Sequence, residues 1–127
     1  MMYVDADLFY ALLRAGDRHA ELAQTVLASK EQQYTSVICL LELEIVVKRE
    51  LSDEMSKTLL SAFKARFPKV KIKPLDERAF RKSLELRQKY GLGIFDAVHA
   101  AVALLNDGRI ASTDKAFEKI PGLQVVV

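Results

Sequence analysis

Four carboxylates have the residue type and setting for chemistry: Asp5, Glu42, Asp96 and Asp114. Asp5 ends a short run of strand formers, Met2 to Val4. Asp114 lies just past a second such run, Ile110 to Ser112. Glu42 and Asp96 interrupt two strongly apolar segments, VICLLELEIVV and IFDAVHAAVAL. An ionised carboxylate inside an apolar element is costly unless it is paired or bound to a metal. Two such acids in apolar helices, with two more at strand ends, point to a shared cation. Oxygen ligands without a Cys or His cluster suit Mg2+ or Mn2+.

Each acid also has an ordinary explanation. Asp5 and Asp114 can cap the helices that follow them, and Asp96 suits the positive end of a helix dipole. Glu42 resists such an account, because a bridge to Lys48 or Arg49 would run the wrong way round its helix. As a set, the four read as a site.

The elements that must hold them are short strands alternating with amphipathic helices. Strands are predicted at Met2–Val4, Gln33–Thr35, Val70–Lys73, Ile110–Ser112 and Leu123–Val127. Helices are predicted at Leu8–Arg14, His19–Ser29, Val37–Arg49, Ser52 to about Phe67, Asp76–Tyr90, Ile94–Leu105 and Lys115–Lys119. Ser36 is a good N-cap for the third segment, since its hydroxyl can accept an orphan backbone N–H. The apolar starts of the Val37 and Ile94 helices predict that both are buried. Alternating strands and helices imply an α/β fold, a three-layer sandwich with a short, mainly parallel central sheet flanked by helices. In such sheets a site forms at the carboxyl ends of the strands. Asp5 and Asp114 fall at that edge, and the Glu42 and Asp96 helices should start near it.

The totals agree with one domain over 1–127. Half of the 127 residues are apolar, and only five Gly and three Pro are present. No apolar run approaches the roughly 20 residues that span a bilayer. The start, MMYVDAD, lacks the basic and apolar regions of a signal peptide. Cys39 is the one cysteine, which excludes an intrachain disulfide and suits a reducing compartment. The expectation is a cytoplasmic protein with no membrane contact. Net charge is +2, but setting the four acids aside leaves 13 of 17 acids against 19 Lys and Arg. A basic body around an acidic pocket suits a polyanionic substrate.

Four segments together resemble the PIN-domain family, in its short VapC-like toxin form, over essentially the whole chain. They are YVDADLF with Asp5, TSVICLLELE with Ser36 and Glu42, GIFDAVHAAVAL with Asp96, and IASTDKAFEKI with Asp114 and Phe117. The resemblance implies an endoribonuclease acting on single-stranded or structured RNA with Mg2+ or Mn2+. It implies a cognate antitoxin that blocks the site, and a homodimer. Asp5, Asp96 and Asp114 would hold the ions, and Glu42 would be a further ligand or would position the attacking water. Asp7 stands where relatives commonly have Asn or Ser, and Ala116 where many have a further acid. Ser112 matches the hydroxyl residue that often precedes the fourth acid, with Thr113 beside it.

Two other readings compete. The run YVDAD also resembles the first motif of haloacid-dehalogenase-type phosphatases, with Asp5 as nucleophile and Asp7 as acid/base. That reading leaves Glu42 and Asp96 unexplained. The other is a non-catalytic PIN-like binding module, against which stands the presence of all four acids. His99 shares a helical face with Asp96, three residues earlier. A packed or partly exposed helix histidine is the favoured reading for it, over one that orients Asp96 or touches substrate. Cys39 reads as core, and Tyr3 and Phe9 as core or dimer-surface residues.

Overall fold

The computed structural model describes residues 1–126. The strands are β1 (Met2–Val4), β2 (Gln33–Ser36), β3 (Lys71–Lys73), β4 (Arg109–Ala111) and β5 (Gln124–Val126). The predicted last strand extended to Val127, which lies outside the described residues. The helices are α1 (Ala6–Leu13), α2 (Ala20–Ala28), α3 (Val37–Glu50), α4 (Asp53–Lys57), α5 (Leu59–Arg66), α6 (Glu77–Tyr90) and α7 (Ile94–Leu104). A 3-10 turn covers Lys115–Lys119.

The five strands form one sheet in the order β3-β2-β1-β4-β5, and every pairing is parallel. β1 and β2 are buried along their whole length, as expected of central parallel strands covered on both faces. The covering follows the alternation of side chains. Met2 and Val4 pack with Phe9, Cys39, Leu43, Phe63 and Phe67, on the side of α1, α2, α3 and α5. Tyr3, between them, packs with Tyr34, Ile110 and the α7 residues Ala97, Ala100 and Ala101. The result is the three-layer α/β sandwich expected from the sequence.

The strand order positions the site. From β1 the chain steps outward to β2 and then β3, through α1–α2 and α3–α5. It then returns through α6 and α7 to lay β4 on the other side of β1. The direction of winding reverses between β1 and β4, which is where crevices open at strand carboxyl ends in such sheets. Gly108, at the entry to β4, makes this return possible. It has φ of +71°, and a Cβ there would sit 2.8 Å from the Gly122 carbonyl oxygen.

Two local expectations need correction. The helix expected from Ser52 to Phe67 is broken into α4 and α5 at Thr58, whose backbone N–H turns back to Met55 and Ser56 carbonyls. The α3 helix is not buried all round. Cys39, Leu43 and Val47 are buried, but Val37, Leu41 and Ile45, four residues apart, are 48%, 44% and 45% exposed. They form one apolar ridge facing outward.

Candidate active site

Asp5 follows β1 directly and caps α1, its Oδ1 accepting from the Ala6 N–H at 2.7 Å. Its Oδ2 accepts from the Ser112 hydroxyl at 2.7 Å. Ser112, just past β4, also accepts from the Asp114 N–H at 3.0 Å. One hydroxyl therefore ties the ends of the two strands at which the winding reverses. Asp114 caps the 3-10 turn through the Ala116 N–H at 2.9 Å. The capping roles of Asp5 and Asp114 and their place at the site coexist, because a cap uses one carboxylate oxygen.

Glu42 reaches the same place from α3. The half-buried stripe Ile38, Glu42, Val46 runs beside the buried one, and Ile38 packs into the α7 side of the core. That stripe faces α7, where His99 is wholly buried. His99 Nε2 hydrogen-bonds Glu42 Oε1 and lies 3.4 Å from Asp5 Oδ1. Its Nδ1 meets the Tyr3 hydroxyl, which in turn lies 2.8 Å from the Ser36 Oγ. Asp96, one turn before His99, completes the set against Asp114.

The electrostatics match this crowding. Burial raises the Asp5 pKa from 3.8 to about 7; His99 and Ser112 oppose the rise, and Asp7 and Glu42 add to it. Burial, and next to it the Asp114 charge, raises Asp96. Burial alone would lower His99, but the Asp5 and Glu42 carboxylates outweigh it and raise its pKa. Among the described residues no Lys or Arg pairs with any of the four acids. A cluster of four carboxylates, one of them, Asp5, buried, whose only cationic partner is a histidine is short of positive charge. One ligand atom from each of Asp5, Glu42 and His99 falls within 4.8 Å of the others. The carboxylate oxygens of Asp5 and Glu42, with Asp96 and Asp114 beside them, therefore fit a divalent cation that His99 would border.

All four sequence-chosen acids thus converge. Ser112, and not Thr113, turns to Asp5. Thr113 binds the neighbouring Asp7, whose Oδ2 accepts from its N–H at 2.8 Å and from its hydroxyl. Ser36 starts α3, but its hydroxyl caps nothing there; it is drawn instead to Tyr3. His99 and Tyr3 are the residues that sequence reasoning undervalued. The available signals were the three-residue spacing from Asp96 and the alternation that sends Tyr3 to the opposite face from Val4. Cys39 is plain core, its thiol pKa pushed far up by burial.

The PIN domain family model matches residues 2–123. The chain belongs to the PIN domain family. A comparison with curated proteins gives no match. Among solved structures, this PIN domain is similar to a toxin–antitoxin complex from Klebsiella pneumoniae, at 24% identity and TM-score 0.74, over 100% of this chain and 97% of that one. It is similar to Rickettsia felis VapBC2 bound to a promoter DNA fragment, at 19% identity and TM-score 0.75, over 99% and 98%. It is also similar to Mycobacterium tuberculosis VapC20, a toxin cleaving the Sarcin-Ricin loop, at 20% identity and TM-score 0.76, over 91% of each chain. Among the described residues no helix is long and apolar enough to cross a membrane.

Proposed function

We propose that this PIN domain, residues 1–127 acting as one unit, is a Mg2+- or Mn2+-dependent endoribonuclease and the toxin of a toxin–antitoxin pair. The observation that carries the reading is the convergence of Asp5, Glu42, Asp96 and Asp114, from four separate segments, at the β1/β4 crevice. A bound divalent cation supplies a lowered water pKa and neutralises charge on the scissile phosphate and the leaving oxygen. Asp5, Asp96 and Asp114 would hold the cation directly or through water. Asp5 is fixed for this by the Ala6 N–H and the Ser112 hydroxyl. Glu42 acts as a further ligand or orients the attacking water, with its carboxylate held by His99. Ser112 keeps the Asp5 and Asp114 segments in register.

RNA is the proposed substrate, in keeping with the basic remainder of the chain and with the activity stated for the VapC20 neighbour. A cognate antitoxin is the proposed partner, since the neighbours include toxin–antitoxin complexes. The outward ridge of Val37, Leu41 and Ile45, with Leu60 51% exposed, supports a protein partner or a homodimer. The setting proposed is the cytoplasm.

The test is RNA cleavage by the wild type and Asp96→Asn with Mg2+ and with Mn2+. The wild type should cut only with the metal supplied, and Asp96→Asn should be slower by about a hundredfold or more. Equal cutting by both, or none by either, overturns the reading.

A further inference from the structure

Asp5 and Asp114 are fixed by local caps and by Ser112, and Asp96 lies against Asp114. Glu42 projects from the second turn of α3, is partly exposed, and has no contact with Asp5 that could hold two like charges together. Among the described residues, its side-chain hydrogen-bond partner is His99 Nε2. Behind His99 stands a chain with no exit to solvent. Tyr3, Ser36 and His99 are all essentially unexposed, and Tyr3 packs on the imidazole with ring centroids 5.5 Å apart.

We propose that His99, oriented by Tyr3 and Ser36, is the positioning residue that aims Glu42 at Asp5 and so assembles half of the metal-ligand set. This rests on the metal-nuclease reading above. The direction of each hydrogen bond follows from what each atom can do. Glu42 Oε1 and Asp5 Oδ1 only accept when ionised, so Nε2 must carry a proton to bridge them. A neutral imidazole then leaves Nδ1 as an acceptor, which among the described residues only the Tyr3 hydroxyl is placed to satisfy. Tyr3, having donated, accepts from the Ser36 hydroxyl at 2.8 Å. The chain Ser36 to Tyr3 to His99 to Glu42 thus runs in one sense and selects the Nε2–H tautomer. Outer partners of this kind orient metal-binding carboxylates and imidazoles, and their loss commonly costs about 10–100-fold in metal affinity. This explains why Ser36 leaves α3 without its side-chain cap: the hydroxyl serves the chain.

Two substitutions separate this role from simple packing. The amide nitrogen of Gln reaches the place of Nε2, whereas that of Asn reaches only the place of Nδ1. Both remove the ring and its buried contacts. By calorimetric titration with Mn2+, His99→Gln should stay within a few-fold of the wild type, and His99→Asn should bind about 10–100-fold more weakly. Tyr3→Phe should fall between them. In the metal-free protein under alkaline conditions, imidazole nitrogen-15 shifts should show the Nε2–H form for His99. Tyr3→Phe should keep that form, which the carboxylates still require, but should move the Nδ1 shift downfield as its hydrogen-bond donor is lost. The chain has only two histidines, so His19→Gln assigns the signals. Equal loss in His99→Gln and His99→Asn, unchanged affinity in His99→Asn, or unaltered shifts in Tyr3→Phe overturns the proposal. If the wild type takes up neither Mn2+ nor Mg2+, the nuclease reading itself fails.

Discussion

Replacing Asp5 by Asn removes the buried negative charge of the cluster while keeping the shape of the side chain. The Asn oxygen can still accept from the Ala6 N–H, and the Ser112 hydroxyl can turn to accept from the new amide. The gap between 3.8 and about 7 for Asp5 corresponds, at about 1.4 kcal/mol per pH unit, to about 4 kcal/mol of cost for ionising it in the fold. Its folded pKa lies above its ordinary value, so the fold favours the neutral acid. That stability is complete below pH 3.8 and is lost as pH rises through about 7. His99, also raised, loses its contribution in the same direction. Metal-free wild type should therefore weaken from mildly acidic to alkaline pH, while Asp5→Asn should weaken less. At pH 8 in EDTA the variant should be more stable by about 2–4 kcal/mol, the lower figure allowing for the weaker bond to Ser112 and the lost His99 contact. With a urea slope of about 2 kcal/mol per M, the midpoint moves up by about 1–2 M. Near pH 4 the two proteins should coincide. Saturating Mn2+ should raise the wild-type midpoint and leave the variant's nearly unmoved. A variant less stable than wild type at pH 8, or shifted equally at both pH values, refutes the claim that Asp5 carries an uncompensated buried charge.

Two further substitutions probe the supports of the site. Ser112→Ala removes the bond to Asp5 and the acceptor for the Asp114 N–H; it should cost about 1–3 kcal/mol in urea unfolding and slow RNA cleavage at saturating substrate. Asp7→Asn should cut RNA within a few-fold of wild type, because the Asn oxygen still accepts from the Thr113 N–H. Asp7→Ala strands that N–H and should lower stability by about 1–3 kcal/mol. Complete loss of cleavage in Asp7→Asn at normal stability would place Asp7 in the chemistry, as the phosphatase reading requires.

Much of this protein was legible from residue order alone. Apolar runs ended by Asp5 and followed by Asp114, with helices between the strands, sufficed for a parallel α/β sheet. They also placed the acids at one edge, because strand ends and first turns of helices are local features. The acid of α3 was legible too, since Glu42 breaks an apolar run. The outward ridge of Val37, Leu41 and Ile45 was not, because a helix that is apolar all round does not announce which stripe lacks a neighbour. The break at Thr58 was equally silent, as Thr carries no obligatory helix-stopping geometry.

The sequence by itself thus determined the inventory and the edge: four acids, a basic remainder, and strands whose alternation sends Tyr3 and Val4 to opposite faces. The tertiary structure decided the partners. It chose Ser112 over Thr113, turned Ser36 from a helix cap into a hydrogen-bond partner of Tyr3, and placed His99 between Asp5 and Glu42. The physical reason is distance along the chain. Tyr3 and His99 are 96 residues apart, and they meet only because the winding reverses at β1 and lays α7 over the face that Tyr3 presents. No local propensity encodes that meeting, since it depends on which side of β1 the fourth strand enters.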